Sequence, residues 1–146
     1  MEKSNGTGRR TARERTKYLK IYTGTDIIEV ARIKKAIDEN KGFRDRVFTE
    51  EEQRYCDSRN RGMYESFAVR FAAKEAASKA LGCGIGPQCG LKECEIRNDP
   101  NTGAPRIYFT GNAKKMLEDL GITSVSVSLS HIESLATATV TMIGKD

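Results

Sequence analysis

Two acidic residues that lie far apart in the sequence, Asp26 and Glu75, are the candidates for a divalent-cation site. Asp26 follows Gly24 at a predicted junction between a strand and a helix, where ligands commonly meet backbone amides. One Asp with one Glu is typical of a magnesium site, because Mg²⁺ keeps several waters and takes further ligands from substrate phosphates. For Asp26 the alternative is a simple helix N-cap, a position that Asp often occupies.

Glu75 lies in the middle of a helix that the spacing of apolar residues predicts over 64–81. At about 100° per residue, Glu75 and Lys79 fall inside its alanine-rich apolar sector, whereas Arg70 and Lys74 fall on the far, polar side. A carboxylate within a buried stripe is costly unless it is paired or bound to a metal. An ordinary ion pair between Glu75 and Lys79, one helical turn apart, is the alternative.

A glycine-rich segment, Gly82–Pro87, follows this helix. Its three glycines allow a bulky anion to approach the backbone, and Lys79 is placed to neutralise a phosphate. The segment is not a Walker loop, because the lysine precedes the glycines and no Gly-Lys-Ser/Thr motif occurs. A helix stop followed by an ordinary loop is the alternative.

Two further classes of site are disfavoured by the positions of the cysteines and of the single histidine. The four cysteines include no C-x-x-C pair, which argues against structural zinc, and we expect reduced thiols. His131 ends a strand in which serines alternate with apolar residues, and no G-x-S-x-G motif accompanies them. A solvated strand face therefore explains these serines better than a hydrolase site.

The elements that must position these residues indicate a single α+β domain over 19–146, with a mostly antiparallel sheet and a long central helix. Thr49 and Glu52 have the spacing of a capping box, and Gly82 is a left-handed stop for the long helix. The predicted strands are 19–25, 94–97, 106–109, 125–130 and 135–143, and the predicted helices are 27–40, 49–58, 64–81 and 113–120.

The net charge of +5 is confined to the first part of the chain. Residues 1–20 hold seven Lys or Arg and two acids, so the remainder is neutral overall. A basic body that binds nucleic acid is therefore not supported, and nucleic-acid binding through a flexible basic leader, residues 1–18, is the rival hypothesis. No apolar run is long enough to span a bilayer and the polar N-terminus lacks a signal-peptide core, so we expect a cytoplasmic protein.

The chain resembles the holo-acyl-carrier-protein synthases, which are short, trimeric 4′-phosphopantetheinyl transferases, in motifs that occur in family order over residues 19–143. Each motif is modest alone, and the ordered set is specific. The leader departs from the family pattern, since similar chains begin close to the first strand. The matching motifs are Gly24–Ile33, Arg46–Glu52, Phe67–Gly82, Gly103–Pro105 and Ser128–His131.

The resemblance implies a Mg²⁺-dependent enzyme that transfers 4′-phosphopantetheine from coenzyme A to a serine of apo acyl carrier protein and releases adenosine 3′,5′-bisphosphate. Such an enzyme supports fatty acid biosynthesis, with a polyketide carrier as the alternative substrate. Three catalytic residues are implied: Asp26 and Glu75 hold Mg²⁺, Glu75 accepts the serine proton directly or through a bound water, and Lys79 contacts the pyrophosphate. The residues implied to line the nucleotide beside Lys79 are Arg70, Gly82, Pro105 and His131.

The resemblance also implies a homotrimer whose active sites lie between subunits. Acyl carrier proteins are acidic, so their docking surface is expected to be basic. Arg32 and Lys35 fall three residues apart on the first predicted helix, and Arg44 lies just beyond it. A solvated charged face is the alternative for these residues, and a catalytically idle trimeric scaffold is the alternative for the whole chain.

Overall fold

The computed structural model describes residues 19–145, and the predicted leader over 1–18 lies outside the described residues, as does Asp146. Within that range, five α-helices and five strands follow one another in a mixed order. The helices are α1 (Val30–Glu39), α2 (Phe43–Val47), α3 (Glu50–Ser58), α4 (Met63–Leu81) and α5 (Gly111–Asp119). The strands are β1 (Leu19–Glu29), β2 (Cys94–Asn98), β3 (Pro105–Phe109), β4 (Ile122–His131) and β5 (Leu135–Lys145).

The predicted α+β class with a mostly antiparallel sheet is confirmed. Three long strands form an antiparallel sheet in the order β1-β5-β4, and β2 pairs with β3 in a separate antiparallel hairpin. The long helix α4 packs across one face of the larger sheet, on which Ala136, Ala138, Val140 and Met142 of the central strand are buried. Within residues 19–145, no helix combines the length and the apolarity that crossing a bilayer requires.

The predicted strand-to-helix junction at Asp26 is wrong. β1 continues through Glu29 and pairs with β5 along its whole length, so that Asp26 lies opposite Ala138. Ile27 is exposed and Ile28 is buried, an alternation typical of a strand. The hydrogen bonds to β5 therefore keep these residues in the strand, although the apolar spacing in the sequence is helical. The helix begins at Val30, and Asp26 is therefore not an N-cap.

The predicted ends of the other helices are close to those observed. The capping box is confirmed, since Thr49 N–H donates to Glu52 Oε1 at 3.0 Å and Glu52 N–H donates to Thr49 Oγ1 at 3.3 Å. Gly82 closes α4 with φ 82°, the left-handed conformation that glycine adopts without strain. The five-residue helix α2 was not predicted, because it is too short to show a helical period.

The helix α4 is buried on nearly every side, which corrects the assignment of Arg70 and Lys74 to a polar, solvated face. Only 2% of Arg70 and none of Lys74 is exposed. Only the stripe Phe71, Glu75 and Lys79 is partly exposed along the middle of α4, whereas α3 and the β2–β3 hairpin cover the positions of Arg70 and Lys74. Charged residues at those positions must then be paired inside the protein.

Lys74 is paired through a buried ionic network with Glu52. Its Nζ donates to Glu52 Oε1 at 2.7 Å, to Leu91 O at 2.8 Å and to Cys94 O at 2.7 Å. The other carboxylate oxygen of Glu52, Oε2, accepts from Ile96 N–H at 3.0 Å. The network therefore joins α3, α4 and the start of β2, and burial lowers the pKa of Lys74 while Glu52 opposes that change.

We expect Lys74→Met to destabilise the fold by about 3–5 kcal/mol, because it leaves the Glu52 carboxylate buried without its counter-ion. The matched control is Arg54→Met, which removes the exposed ion pair with Glu51 and should cost less than about 1 kcal/mol. The free energy of unfolding from urea titration is the measurement. Equal losses in the two variants would contradict the structural role assigned to the buried pair.

Candidate active site

A close approach of β1 to α4 creates the site. A Cβ atom placed on Gly24 would lie 1.9 Å from Ala76 O and 2.7 Å from Ala80 N, so the strand touches the helix backbone where a side chain would stand. Asp26 is two residues further along the strand and on the same face, which directs its side chain towards α4. The glycine and the two alanines are thus the sequence features that bring the two elements together.

Asp26 forms an ion pair with Lys79 across this contact. Lys79 Nζ donates to Asp26 Oδ1 at 3.0 Å and to Thr25 O at 3.0 Å. The side chain of Asp26 is 17% exposed and that of Lys79 is 52% exposed, so the lysine lies at the rim of the site. Lys79 thus pairs with Asp26 and joins the helix to the strand. The sequence alone suggests a pair with Glu75, within the helix.

Glu75 lies half-buried beside this pair. Burial raises the pKa of Glu75, the charge of Asp26 raises it further, and Lys79 lowers it. The two carboxylates therefore repel one another, and the rim lysine, Lys79, relieves that repulsion only in part. This electrostatic arrangement favours a bound cation.

The donor set fits Mg²⁺. Carboxylate oxygens are the ligands that this ion prefers, and it needs only one or two of them when a substrate supplies phosphate oxygens. Among residues 19–145, no group of three or more His, Cys, Asp or Glu side chains is placed to hold a metal ion by itself. Asp26 and Glu75 would accordingly supply two ligands and leave the others to water and substrate.

A second cluster surrounds Arg70, one and a half turns before Glu75 on α4. Arg70 Nη1 donates to Ser66 Oγ at 3.1 Å, Nη2 donates to Asn98 Oδ1 at 2.5 Å, and the guanidinium carbon lies 4.2 Å from the centre of the Tyr55 ring. The buried Nε of Arg70 has no hydrogen-bond partner. An unpartnered buried donor of a cation is suited to an anionic ligand.

Arg70 and His131 line the same cavity, which has a volume of about 300 Å³. Pro105 lies opposite Asn98 in the β2–β3 ladder, next to the residue that Arg70 contacts. The family resemblance implies that Arg70, His131 and Pro105 contact the nucleotide. Arg70 and His131 share this cavity, and Pro105 is linked to it only through Asn98. The remaining walls of the cavity are formed by Tyr55, Arg59, Gly62, Ser66, Val69, Asn98 and Leu129.

The two clusters do not open into one cavity within a single chain, since the cavity beside Arg70 is lined by neither Asp26 nor Glu75. Along α4, Arg70 and Glu75 differ by about 7.5 Å in axial rise and by about 140° in direction. Gly82 lies at the far end of the helix and is exposed. The candidate residues thus divide between two faces of one helix.

The predicted docking residues occupy two different settings. Arg32 and Lys35 are exposed on α1 and line a shallow depression of about 590 Å³ together with Ala36, Glu39 and Asn40. Arg44 is partly exposed but paired with its own chain: Nη2 lies 2.7 Å from Asp57 Oδ2, and its guanidinium carbon lies 4.8 Å from the centre of the Phe67 ring. Arg32 and Lys35 are therefore free to meet a partner, whereas Arg44 is committed to internal contacts.

Tyr55 and Asn98 belong to the site beside Arg70, and sequence analysis did not identify them as functional residues. Tyr55 lies on α3 and Asn98 ends β2, and both reach Arg70 only through the packing of these elements around α4. No local spacing in the sequence signals such a contact. None of these contacts gives the buried guanidinium of Arg70 an acidic partner. Once the fold is known, this missing partner indicates the site.

Known proteins resemble this chain both in sequence and in fold. The sequence profile of the 4′-phosphopantetheinyl transferase superfamily matches residues 22–139. The holo-[acyl-carrier-protein] synthase of Ruminiclostridium cellulolyticum is 50% identical over 122 residues, covering 82% of this chain and 90% of that protein.

Two solved structures show the same fold. The crystal structure of holo-[acyl-carrier-protein] synthase from Neisseria meningitidis matches with a TM-score of 0.74 and 33% identity, covering 83% of this chain and 96% of that one. The Helicobacter pylori holo-[acyl-carrier-protein] synthase, solved in complex with coenzyme A, matches with a TM-score of 0.72 and 34% identity, covering 82% and 98%.

We expect Glu75→Gln to raise the free energy of unfolding at pH 7 when divalent ions are absent. The pKa of Glu75 in the folded protein is raised above its ordinary value of 4.5, so the folded state favours the protonated carboxyl and loses stability as the pH rises through that raised pKa. Glutamine stays neutral and removes this loss. The advantage of the variant should disappear below about pH 4.5, where the wild-type carboxyl is protonated in both states.

Urea titrations at several pH values measure this effect, and Glu118→Gln, at an exposed position of α5, is the control. Stability of Glu118→Gln should stay close to that of the wild type at each pH. A Glu75→Gln variant that is less stable than the wild type at pH 7 would contradict the repulsion inferred between Asp26 and Glu75.

Proposed function

The chain belongs to the 4′-phosphopantetheinyl transferase superfamily, among the holo-acyl-carrier-protein synthases, and we propose that it transfers the 4′-phosphopantetheine arm of coenzyme A to a serine of apo acyl carrier protein. The serine oxygen attacks the phosphorus that carries pantetheine, and adenosine 3′,5′-bisphosphate leaves with the electrons of the broken P–O bond. The convergence of Asp26 and Glu75 beside Lys79 is the observation that carries the proposal.

We propose Mg²⁺ as the cation that Asp26 and Glu75 hold. When bound, Mg²⁺ neutralises the charge of the pyrophosphate and stabilises the leaving phosphate. The acidic pair provides the negative charge that this ion needs, and Lys79 is the exposed cation beside it. Lys79 has a flexible stem, so its ammonium can turn from Asp26 towards a pyrophosphate oxygen at the rim.

Glu75 is proposed as the group that accepts the proton of the incoming serine. Burial and the neighbouring Asp26 raise its pKa, which makes it a stronger base than an ordinary glutamate. The serine must then come within hydrogen-bonding distance of the Glu75 carboxylate, either directly or through a water. Asp26 fixes the electrostatic environment in which that proton is transferred.

The nucleotide end of coenzyme A is proposed to lie against the cluster around Arg70. The free Nε of Arg70 would donate to a phosphate oxygen, and His131 would lie near the 3′-phosphate. Pro105 and Gly82 would border the nucleotide. The little side-chain bulk of these two residues would let the nucleotide lie close to the backbone. Because Arg70 and Glu75 lie on different faces of α4, one substrate contacts both kinds of residue most readily when it lies between two subunits.

A homotrimer provides such an arrangement, and we propose that the outer face of the β1-β5-β4 sheet is its interface. Between the ends of the strands this face presents only threonine, serine and isoleucine, and Ile21 and Ile27 are 71% and 66% exposed. An uncharged sheet face with exposed isoleucines is suited to contact with another copy of itself. The residues of the face are Ile21, Thr23, Thr25, Ile27, Ser124, Ser126, Ser128, Ser130, Thr137, Thr139, Thr141 and Ile143.

The carrier protein is proposed to be that of fatty acid biosynthesis, in the cytoplasm. Its acidic surface would dock on Arg32 and Lys35, which are exposed and line one depression. A carrier of polyketide synthesis is the alternative, and equal concentrations of the two apo carriers in one reaction decide between them. Faster modification of the fatty-acid carrier is the expected result.

Incubation with coenzyme A, MgCl₂ and an apo acyl carrier protein should add one phosphopantetheine group to the carrier, as measured by intact mass. Asp26→Asn and Glu75→Gln should each lower kcat by at least about 100-fold, because each removes a charge needed at the reacting phosphorus. Glu118→Gln, an exposed change on α5, should keep the wild-type rate. An unmodified carrier would refute the proposed function, and a near-normal rate for Glu75→Gln would refute its assigned role.

Arg32→Glu should raise KM for the carrier protein by about tenfold and leave kcat nearly unchanged, because it reverses a docking charge outside the reacting centre. The wild-type KM should itself rise with salt, since exposed charges are screened. Lys114→Glu on α5 applies the same charge change at another exposed site and serves as the control. Identical KM values for the two variants would exclude docking through Arg32.

Light scattering should give a mass three times that of the 16.2 kDa chain. Thr139→Lys should yield a folded monomer with little transferase activity, because Thr139 lies between Thr25 and Ser128 in the middle of the proposed interface. Asn101→Lys, in the exposed β2–β3 turn, should remain trimeric. A wild-type monomer that is fully active would contradict the proposed interface and the site between subunits.

A further inference from the structure

Three of the four cysteines lie together where the glycine-rich segment meets β2. Cys89 Sγ and Cys94 Sγ are 3.5 Å apart, and both residues are fully buried. Cys83 is partly exposed, and its thiol interacts with that of Cys89. The fourth cysteine, Cys56, is separate and bonds to Ser66 Oγ at 3.4 Å. The transfer reaction proposed above uses none of these thiols.

The backbone holds the two buried thiols in place. Cys89 exchanges main-chain hydrogen bonds of 3.1 Å with Gly86, and a 3₁₀ turn over Leu91–Glu93 returns the chain to Cys94. Cys94 begins β2, and its carbonyl oxygen accepts from Lys74 Nζ at 2.7 Å. Because both ends of this short segment are fixed, the thiols stay in contact, and a small movement is enough to join them.

The two buried thiols differ in their readiness to ionise. The pKa of Cys89 is lowered, first of all by its side-chain hydrogen bond with Cys94. The same hydrogen bond raises the pKa of Cys94, and burial and the charge of Cys89 raise it further. Cys89 is therefore the nucleophile of the pair. Burial raises the pKa of Cys83, so it is access to solutes, and not acidity, that makes Cys83 the first thiol to be oxidised.

We propose that Cys83, Cys89 and Cys94 form a peroxide-sensitive modification site that ends in a buried Cys89–Cys94 disulfide. Hydrogen peroxide oxidises the Cys83 thiolate to a sulfenic acid and releases hydroxide. Cys89 thiolate attacks the sulfenic sulfur and expels a second hydroxide, which forms a Cys83–Cys89 disulfide. Cys94 thiolate then attacks the Cys89 sulfur and releases Cys83 as a thiolate.

The sequence of steps balances, because one peroxide accepts the two electrons of one new S–S bond and the two thiol protons convert both hydroxides to water. The first disulfide also prepares Cys94 to react. Two of the three leading causes of its raised pKa come from Cys89, and both disappear once the Cys89 sulfur is bound to Cys83. Lys74 lowers the pKa of Cys94 and therefore stabilises the attacking thiolate.

The full-length chain should be treated with hydrogen peroxide, alkylated with N-ethylmaleimide in denaturant, digested with trypsin without reduction and analysed by mass spectrometry. Cleavage after Lys79, Lys92 and Arg97 places Cys83 and Cys89 on one peptide and Cys94 on another. A covalent link between peptides Ala80–Lys92 and Glu93–Arg97 is the expected result. Fragmentation should assign the link to Cys89 and show Cys83 alkylated, and dithiothreitol should separate the peptides.

Matched serine variants test each member of the cluster. Cys83→Ser should slow formation of the link by at least about tenfold, since Cys89 is then the first thiol oxidised and is buried. Cys94→Ser should abolish the link and accumulate an internal Cys83–Cys89 disulfide, whereas Cys56→Ser should behave as the wild type. Free Cys89 and Cys94 after complete oxidation of Cys83, or an unchanged rate in Cys83→Ser, would overturn the proposal.

Discussion

The contact between Gly24 and α4 is the constraint on which the rest of the site depends. Strand and helix backbones meet so closely that a Cβ on Gly24 would overlap Ala76 O at 1.9 Å. Only this approach places Asp26, two residues further along the strand, beside Glu75 and Lys79. The site thus consists of two rigid elements, and the acidic residues need no loop movement to stand together.

Holding two carboxylates side by side lowers the stability of the empty protein, and stabilising contacts elsewhere must offset that cost. The Glu52–Lys74 network provides such contacts on the other side of α4, where every bond of the ammonium group is made inside the protein. The helix α4 therefore takes part in two charge pairs. Lys74 and Glu52 attract one another and make all their hydrogen bonds, whereas Glu75 and Asp26 repel one another. The first fixes the helix in place, and the second is the pair to which we assign the proposed cation.

Local patterns of the sequence were sufficient to predict much of the fold. The capping box at Thr49 and the stop at Gly82 depend on residues close in sequence, and both are present. The sequence predicts that the first strand ends at Asp26, whereas pairing of β1 with β5 extends the strand past Asp26 to Glu29. The helical spacing of α4 puts Arg70 on a polar side, although Arg70 is buried, since a helical wheel cannot show that α3 and the β2–β3 hairpin cover that side.

Features that arise from distant parts of the chain were beyond such patterns. The contact of Arg70 with Asn98, which is 28 residues away in the sequence, appears only when β2 is packed against α4. Likewise, the resemblance to a transferase family predicts which residues act, whereas the structure shows the contact between β1 and α4 beside which Asp26 and Glu75 lie. The placement of Arg70 and Glu75 on different faces of α4 follows from the helical positions of the two residues.

The most direct test of the account is a crystal structure of the protein grown with coenzyme A and Mn²⁺, which replaces Mg²⁺ and has an anomalous signal. We expect one anomalous peak in contact with the carboxylates of both Asp26 and Glu75, with water and pyrophosphate oxygens as the other ligands. A peak that touches only one of these carboxylates, or a pyrophosphate bound elsewhere, would contradict it.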